Sequence, residues 1–358
     1  MRIEDCPIIG QRDRVGKVRV AQALRILEKF ATAQYNFRWA GVGDVADFRI
    51  RSLHCQIPGS DSRKIQNGVW KMRVGAHVST AGGPATAFDR AVDIGAEAVQ
   101  IFASSPRAWR FRKLSDEQVA EFRSRSVSTG VGLAFIHGSY LVNVGGSPDI
   151  LEKSIECLVE NMNAATALGV PGVIFHGGSH KGKGFDGVLD QAAGALKEVL
   201  DRTSEETWLI IENSAGMGAH IGASFAELGR LVAAIDNDRV KICLDTQHSF
   251  AAGYDLANAE GVATAMAEFD REIGLERLVA VHANDTKMEL GSGVDRHENI
   301  GDGFIGLDGF EAIMAHEAFR DVPFLLEVPG PEKKGPDREN VERIKAIRDR
   351  LGISVDAQ

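Results

Sequence analysis

Cysteine is scarce in this chain. The four present, Cys6, Cys55, Cys157 and Cys243, stand far apart with no CxxC pair, which excludes a cysteine zinc knuckle and offers no disulfide framework. No apolar run is long enough to cross a bilayer, and the N-terminal stretch lacks the apolar core of a secretion signal. A cytoplasmic protein with no membrane partner is therefore the expectation. What the 358 residues do contain is 44% hydrophobic and 25% charged side chains, a balance that suits a soluble globular protein with an ample core. One α/β barrel commonly takes about 250 residues.

Charge is unevenly divided. Residues 1–71 carry 13 Lys and Arg against 7 Asp and Glu, so 28 of the 41 basic and 43 of the 50 acidic residues fall in 72–358, which is formally −15. Evenly spread acids would repel an anionic polymer, but acids that hold divalent cations reverse the local field. Nucleic acid is not excluded as a partner. Residues 1–71 offer one amphipathic helix pattern near 18–33 and then no periodicity. They are expected to form an extension outside the main domain, or to precede a true start at Met72.

From Met72 onward, short β-branched runs alternate with helical patterns, the signature of repeated βαβ units and a parallel sheet. The predicted strands are 72–77, 97–103, 131–137, 171–176, 207–212, 239–245, 278–283 and 322–328. Between them, Leu151, Ile155, Leu158, Met162 and Ala165 share one helical face. Ser115 with Gln118 and Ser224 with Glu227 read as capping boxes, and Val341, Ile344, Ile347 and Leu351 as a closing helix. Eight such units predict an α/β protein of the (β/α)8 TIM-barrel type.

Seven of the eight predicted strands end on His, Asp or Glu: His77, His137, His176, Glu212, Asp245, His282 and Glu327. In such a barrel the carboxyl ends of the strands converge on one face. A single residue of this kind usually has an ordinary role, capping the next helix or bonding in the barrel mouth. Seven together, with almost none at strand starts or middles, predict a ring around one polynuclear metal cavity. His248 follows Asp245 in the next loop, and Asp295 and His297 form an i, i+2 pair that extended backbone turns to one side. Imidazoles and carboxylates without thiolates suit zinc, manganese or iron. A cluster of such ions suits phosphate ester hydrolysis.

The segments GAHVSTAGG, SSPRAW, HGSYLVNVG, GVIFHGGSH, IIENSAG, CLDTQHSFAAGYD, VHANDTK, GVDRHENIGDG and LLEVPG, in that order, closely resemble the endonuclease IV family of apurinic/apyrimidinic DNA repair nucleases. The resemblance runs from about Met72 to the C-terminal helix, and the extension has no counterpart in it. It implies three metal ions, usually zinc and with manganese allowed, in a xylose-isomerase-like barrel. One ion would be held by His137, His176 and Glu212, a second by Glu212, Asp245, His282 and Glu327, and the third by His248, Asp295 and His297. Glu212 would bridge the first two and be central to catalysis, in-line attack on the phosphate 5′ to an abasic site. The third ion would face the departing 3′ oxygen.

The resemblance also assigns Arg107, Tyr140 and Leu141 to the DNA, entering the duplex gap while the abasic nucleotide is flipped out. Trp109, Lys181, Lys183, Lys287 and Arg296 are further candidates for phosphate contact. His77 and His180 fall outside the implied ligand set. The implied substrate is double-stranded DNA with abasic sites or blocked 3′ ends, cut by a monomer. Two other readings are a sugar isomerase or epimerase on the same barrel, and a damage-binding module without catalysis. The first does not need His137, His176, His248 or the Asp295/His297 pair, and the second would be expected to lack a bridging carboxylate.

Overall fold

Each predicted strand is present in the computed structural model, which describes residues 71–355. The extension and the helix pattern near 18–33 lie outside the described residues. The units run β1 (Val74–His77), α1 (Thr86–Ile94), β2 (Ala98–Phe102), α2 (Asp116–Thr129), β3 (Leu133–His137), α3 (Pro148–Leu168), β4 (Gly172–His176), α4 (Leu189–Asp201), β5 (Trp208–Glu212) and α5 (Phe225–Ile235). They continue through β6 (Val240–Asp245), α6 (Thr246–Ala252), α7 (Ala259–Glu272) and β7 (Leu278–His282), then a small antiparallel pair, β8 (Asp285–Thr286) and β9 (His297–Glu298). Helix α8 (Gly306–Ala315), β10 (Phe324–Leu326) and α9 (Arg338–Arg350) complete the chain.

The eight larger strands close in the order β1-β10-β7-β6-β5-β4-β3-β2, every neighbour parallel. Most are one or two residues shorter than the sequence pattern, because the hydrophobic run extends beyond the paired segment. Glu327 consequently sits one residue past β10 rather than within it.

Pleating explains the rest of the architecture. Along β3, Leu133 and Phe135 belong to an inner cluster with Ile174, Ile210, Cys243 and Leu325, whereas Ala134 and Ile136 pack outward with the helices. Alternation with period two then places His137 on the inward face at the barrel mouth. The same step carries Ile174 to His176, Ile210 to Glu212 and Cys243 to Asp245. Helix α3 buries Ile155, Leu158, Met162 and Ala165 as the spacing predicts, and α9 buries Val341, Ile344 and Ile347.

Ser115 and Gln118 form a reciprocal capping box. The box expected at Ser224 is only half made: Ser224 Oγ accepts from Glu227 N, but the Glu227 carboxylate accepts from Gly222 N at 3.1 Å instead.

At the opposite end of the barrel, α9 is bound to the first strands by charge. Arg348, 6% exposed, donates to Glu97 Oε2 and Oε1 at 2.5 and 2.9 Å and to Met72 O at 3.0 Å, while Val74 N donates to Glu97 Oε2. Glu97→Ala strands that guanidinium. Because the Glu97 side chain retains 27% of its surface, the expected loss is about 2–3 kcal/mol, at or below the low end for a broken buried pair. Thermal or urea melts will measure it, and a melt within about 0.5 kcal/mol of the parent would contradict it.

Candidate metal centre

Nine side chains from six barrel strands and the segments after them meet at the carboxyl end of the barrel. Three sets of ligand atoms lie within 4.8 Å of one another: His137, His176 and Glu212; Glu212, Asp245, His282 and Glu327; and Asp245, His248 and His297. Asp295 joins the third set, with Oδ2 3.4 Å from His248 Nε2 and Oδ1 3.3 Å from His297 Nε2. Asp295 and His297 therefore do point to one side, as their i, i+2 spacing predicts.

Asp245 is shared by the second and third sets, and the fully buried Glu212 by the first two. Glu212 Oε2 lies 3.2 Å from His137 Nε2 and 3.6 Å from His176 Nε2; its Oε1 lies 3.0 Å from His282 Nδ1 and 3.3 Å from His248 Nδ1. Asp245 directs Oδ2 toward His248, His282 and His297, each at 3.9 Å. Its Oδ1 accepts the His248 amide at 2.8 Å, which makes Asp245 the N-cap of α6. His248 is thus on the first turn of a helix rather than in the loop expected from sequence. The cap lets the strand pass directly into the helix, bringing i and i+3 side chains to the same side.

The donors on the far side of each ring determine what the near side offers. His137 Nδ1–H donates to Gly138 O at 2.8 Å, His297 Nδ1–H to Glu327 O at 3.2 Å, and His282 Nε2–H to Gln100 Oε1 at 2.8 Å, whereas His248 Nδ1–H donates to Asn213 O at 3.0 Å from the side that also faces Glu212, leaving Nε2 toward Asp295. In the neutral ring the other nitrogen then turns a lone pair toward carboxylate oxygens about 3 Å away, a repulsive arrangement unless a proton or cation lies between. His297 Nε2 is buried with no hydrogen-bond partner. Carbonyl-fixed imidazoles around buried carboxylates are the chemistry of a divalent-ion site.

Electrostatics points the same way. Burial raises the pKa of Glu212, but the charges of His176 and His282 outweigh it and hold the carboxyl well below the usual range. Burial raises Asp245. Asp295 is held at about 2, burial being overcome by its bond to His248. His176, at the mouth with 31% of its side chain accessible, is still desolvated enough to fall to about 4, so it is neutral and ready to donate its lone pair.

Three amides that sequence reading missed hold the ligands. Gln100, wholly buried on β2, accepts from His282 and donates to Glu327 Oε1 at 2.6 Å. Asn213 accepts the Asp245 amide at 2.7 Å, and Asn284 donates to Asp245 Oδ2 at 2.7 Å while accepting the Glu327 amide at 2.9 Å. The signal was an amide directly after a ligand strand, as in Glu212-Asn213, or a polar residue inside the apolar run AVQIF. Gln100→Leu, which removes both bonds, is expected to weaken divalent-ion affinity about 10- to 100-fold. Chelator competition measures this, and unchanged affinity would assign Gln100 to packing alone.

His77 is bonded to the ring rather than part of it: its Nδ1 lies 2.8 Å from Glu327 Oε1 and 3.0 Å from Gln100 Nε2. His180 orders its own loop, accepting from Gly184 N at 3.1 Å. Beside the centre, exposed Arg107 and half-exposed Tyr140 rise on neighbouring loops. Both Tyr140 N and Ser139 Oγ donate to Pro106 O, at 3.0 and 2.8 Å, which ties the two loops together. The Tyr140 ring packs edge-on to Phe102 at 5.3 Å and beside His176 at 6.4 Å. Burial, then the charges of Glu327 and Glu212, push its hydroxyl up to about 12. Leu141, Trp109, Lys181 and Lys183 line a cleft of about 640 Å³ against Tyr140. Lys287 is paired with Glu298 at 3.2 Å, and Arg296 folds onto Asp295 O at 2.6 Å.

A closed parallel barrel with a multi-carboxylate, multi-histidine mouth defines the class: the xylose isomerase-like TIM barrel family, whose sequence pattern matches residues 88–350. A D-tagatose 3-epimerase-like protein shares the fold at 19% identity and a TM-score of 0.60, over 78% of this chain and 97% of that one. Other similarities are much stronger. A probable endonuclease 4 of Haloarcula marismortui is 42% identical over 278 residues, 77% of this chain and 99% of the relative. The crystal structure of endonuclease IV from Thermus thermophilus is 38% identical with a TM-score of 0.70, covering 78% of this chain and 99% of that one. The chain belongs to the endonuclease IV family.

Proposed function

We propose that this protein is a metal-dependent DNA repair endonuclease that hydrolyses the phosphodiester 5′ to an abasic site in duplex DNA. It leaves a 3′ hydroxyl and a 5′ deoxyribose phosphate, trims blocked 3′ ends, and acts as a monomer. The observation that carries this reading is the convergence of nine ligand-type side chains beneath the exposed Arg107 and Tyr140. His137, His176 and Glu212 would hold one ion, Glu212, Asp245, His282 and Glu327 a second, and His248, Asp295 and His297 a third, with zinc favoured and manganese allowed at one or more positions. Bound there, divalent ions supply Lewis acidity to phosphate oxygens and make water acidic near neutral pH.

The chain's own residues do the rest. Glu212 serves two ligand sets at once because each oxygen faces two imidazoles. Gln100, Asn213 and Asn284 fix its neighbours in orientation. Arg107, Tyr140 and Leu141 provide a cation and an apolar wedge for the gap left by a missing base. The Tyr140 hydroxyl, protonated at neutral pH, adds no negative charge against phosphate. A sugar epimerase would have no use for the set of His248, Asp295 and His297, nor for an exposed wedge at the mouth.

Incubation with a duplex containing a tetrahydrofuran abasic analogue is expected to yield a nicked strand ending in a 3′ hydroxyl. An intact strand after incubation with metal-loaded protein would refute the reading. Arg107→Ala and Tyr140→Ala are each expected to weaken abasic-duplex binding about 10- to 100-fold, since holding an unstacked nucleotide is worth a few kcal/mol. Gel-shift titrations against an undamaged duplex decide whether the loss is specific, and an equal loss on both would assign these residues to general backbone contact.

A further inference from the structure

The motif VHANDTK contributes His282 and Asn284 to the centre, but its most heavily bonded residue, Asp285, touches no ligand. Asp285 is wholly buried. Its carboxylate accepts five backbone amides: Thr286 N at 2.8 Å and Ile305 N at 3.0 Å on Oδ1, Gly301 N at 2.9 Å and Gly303 N at 3.1 Å on Oδ2, and Gly306 N at 3.2 Å on Oδ2. Four of these belong to residues 301–306. One side chain therefore clasps both ends of the segment that carries Asp295 and His297.

The geometry of that segment makes the clasp consequential. Asp285 and Thr286 pair with Glu298 and His297 in the β8–β9 ladder, so His297 stands across from the residue next to the clasp. Phe304 N donates to Thr286 O at 2.9 Å. Gly303 passes so close that a Cβ there would collide with Thr286 O and the Asp285 carboxylate. The 287–300 arm has other anchors, Gln247 Nε2 to Val294 O at 3.0 Å, Gly293 N to Ala251 O at 2.8 Å, His297 Nδ1 to Glu327 O at 3.2 Å and Ile300 N to Asn340 Oδ1 at 2.9 Å, but among the described residues no other side chain gathers as many of its flanking amides as Asp285 does.

We infer that Asp285 is a positioning residue for the third ion site: by gathering five amides it sets where Asp295 and His297 meet His248. His137, His176, Glu212, Asp245, His282 and Glu327 are placed by barrel strands and do not depend on it. The inference rests on the proposed three-ion reading for its metal consequence, though not for its backbone consequence.

The test uses full-length protein with Asp285→Asn, which keeps shape but replaces one acceptor oxygen with a donor. Metal content after dialysis at fixed free zinc is expected to fall from three ions per chain to two, the third site losing about 10- to 100-fold in affinity. Amide exchange at 301, 303, 305 and 306 is expected to rise about tenfold or more while β3 to β6 keep their protection. Raising free zinc should restore the third ion together with abasic-site cleavage, a rescue that a general packing defect would not give. Three ions with unchanged exchange, or equal loss of all ions, overturns the inference. Should Asp285→Asn not fold, Gly303→Ala is judged by the same outcomes, and failure of both to fold overturns a local role. A parent protein with fewer than three ions, in which exchange still rises on substitution, refutes the three-ion reading and leaves the clasp standing.

Discussion

Glu212→Gln is expected to fold normally and to lose abasic-site cleavage by about 10⁴-fold. Glutamine matches the volume of glutamate in a position with no exposure, so packing is retained. It offers one acceptor where two are used: Oε2 faces His137 and His176, and Oε1 faces His282 and His248. Whichever way the amide turns, one ligand set receives a donor in place of an anionic oxygen. The charge that balances four imidazoles is lost as well. Melting temperature is expected to fall in the metal-free protein, because the Glu212 charge that surrounding imidazoles hold in its ionised form is no longer there to balance them. Cleavage within about tenfold of the parent would remove Glu212 from the chemistry.

Stripping the metals is expected to produce the second large effect, abolishing cleavage and lowering the melting temperature by at least about 10 °C, the effect of a single ion. The sites require deprotonated ligands, so each bound ion contributes stability through mass action, about 4 kcal/mol at a concentration 1,000 times its Kd. For a domain of this size each kcal/mol moves the melting temperature by about 2–4 °C. Without ions, Glu212, Asp245 and Glu327 face lone pairs of His137, His282 and His297 with only protons to separate them. Burial already raises Asp245, while Glu212 and Glu327 are kept low by surrounding imidazoles. The metal-free centre is thus held together by protonated histidine: His248 rises well above normal as Asp245, Asp295 and Glu212 outweigh burial, and His282 likewise as Cys243, Glu212 and Glu327 outweigh it. A chelated protein with unchanged melting temperature would show that the ions are not integral to the mouth. Restoration by zinc or by manganese separates the candidate metals.

Much of this centre was legible before any coordinates. His137, His176, Glu212, Asp245 and His282 are readable because a parallel strand buried on both faces is apolar until its end, and an abrupt polar residue there needs a partner. That Asp295 and His297 turn to one side was readable from extended-chain geometry, but their place in the ligand set came from the family resemblance. The fate of His248 was less clear, since nothing in CLDTQH tells a loop from a helix that begins on the strand's last residue. That required the Asp245 cap. Gln100 was invisible for a different reason: a glutamine inside a short apolar strand carries no sign of the histidine it meets, since that histidine lies 182 residues away in the chain.

The sequence by itself determined the order of strands and helices, the inward step of each strand end and the chemical class of the ligands, because periodicity and residue type are local properties. Tertiary structure decided which nitrogen of each histidine faces the centre, where Asp245 divides its two oxygens, and how Asp285 gathers amides from two ends of one loop. Those outcomes depend on hydrogen bonds between residues apart in sequence, and only the folded packing of strands and loops brings them within about 3 Å.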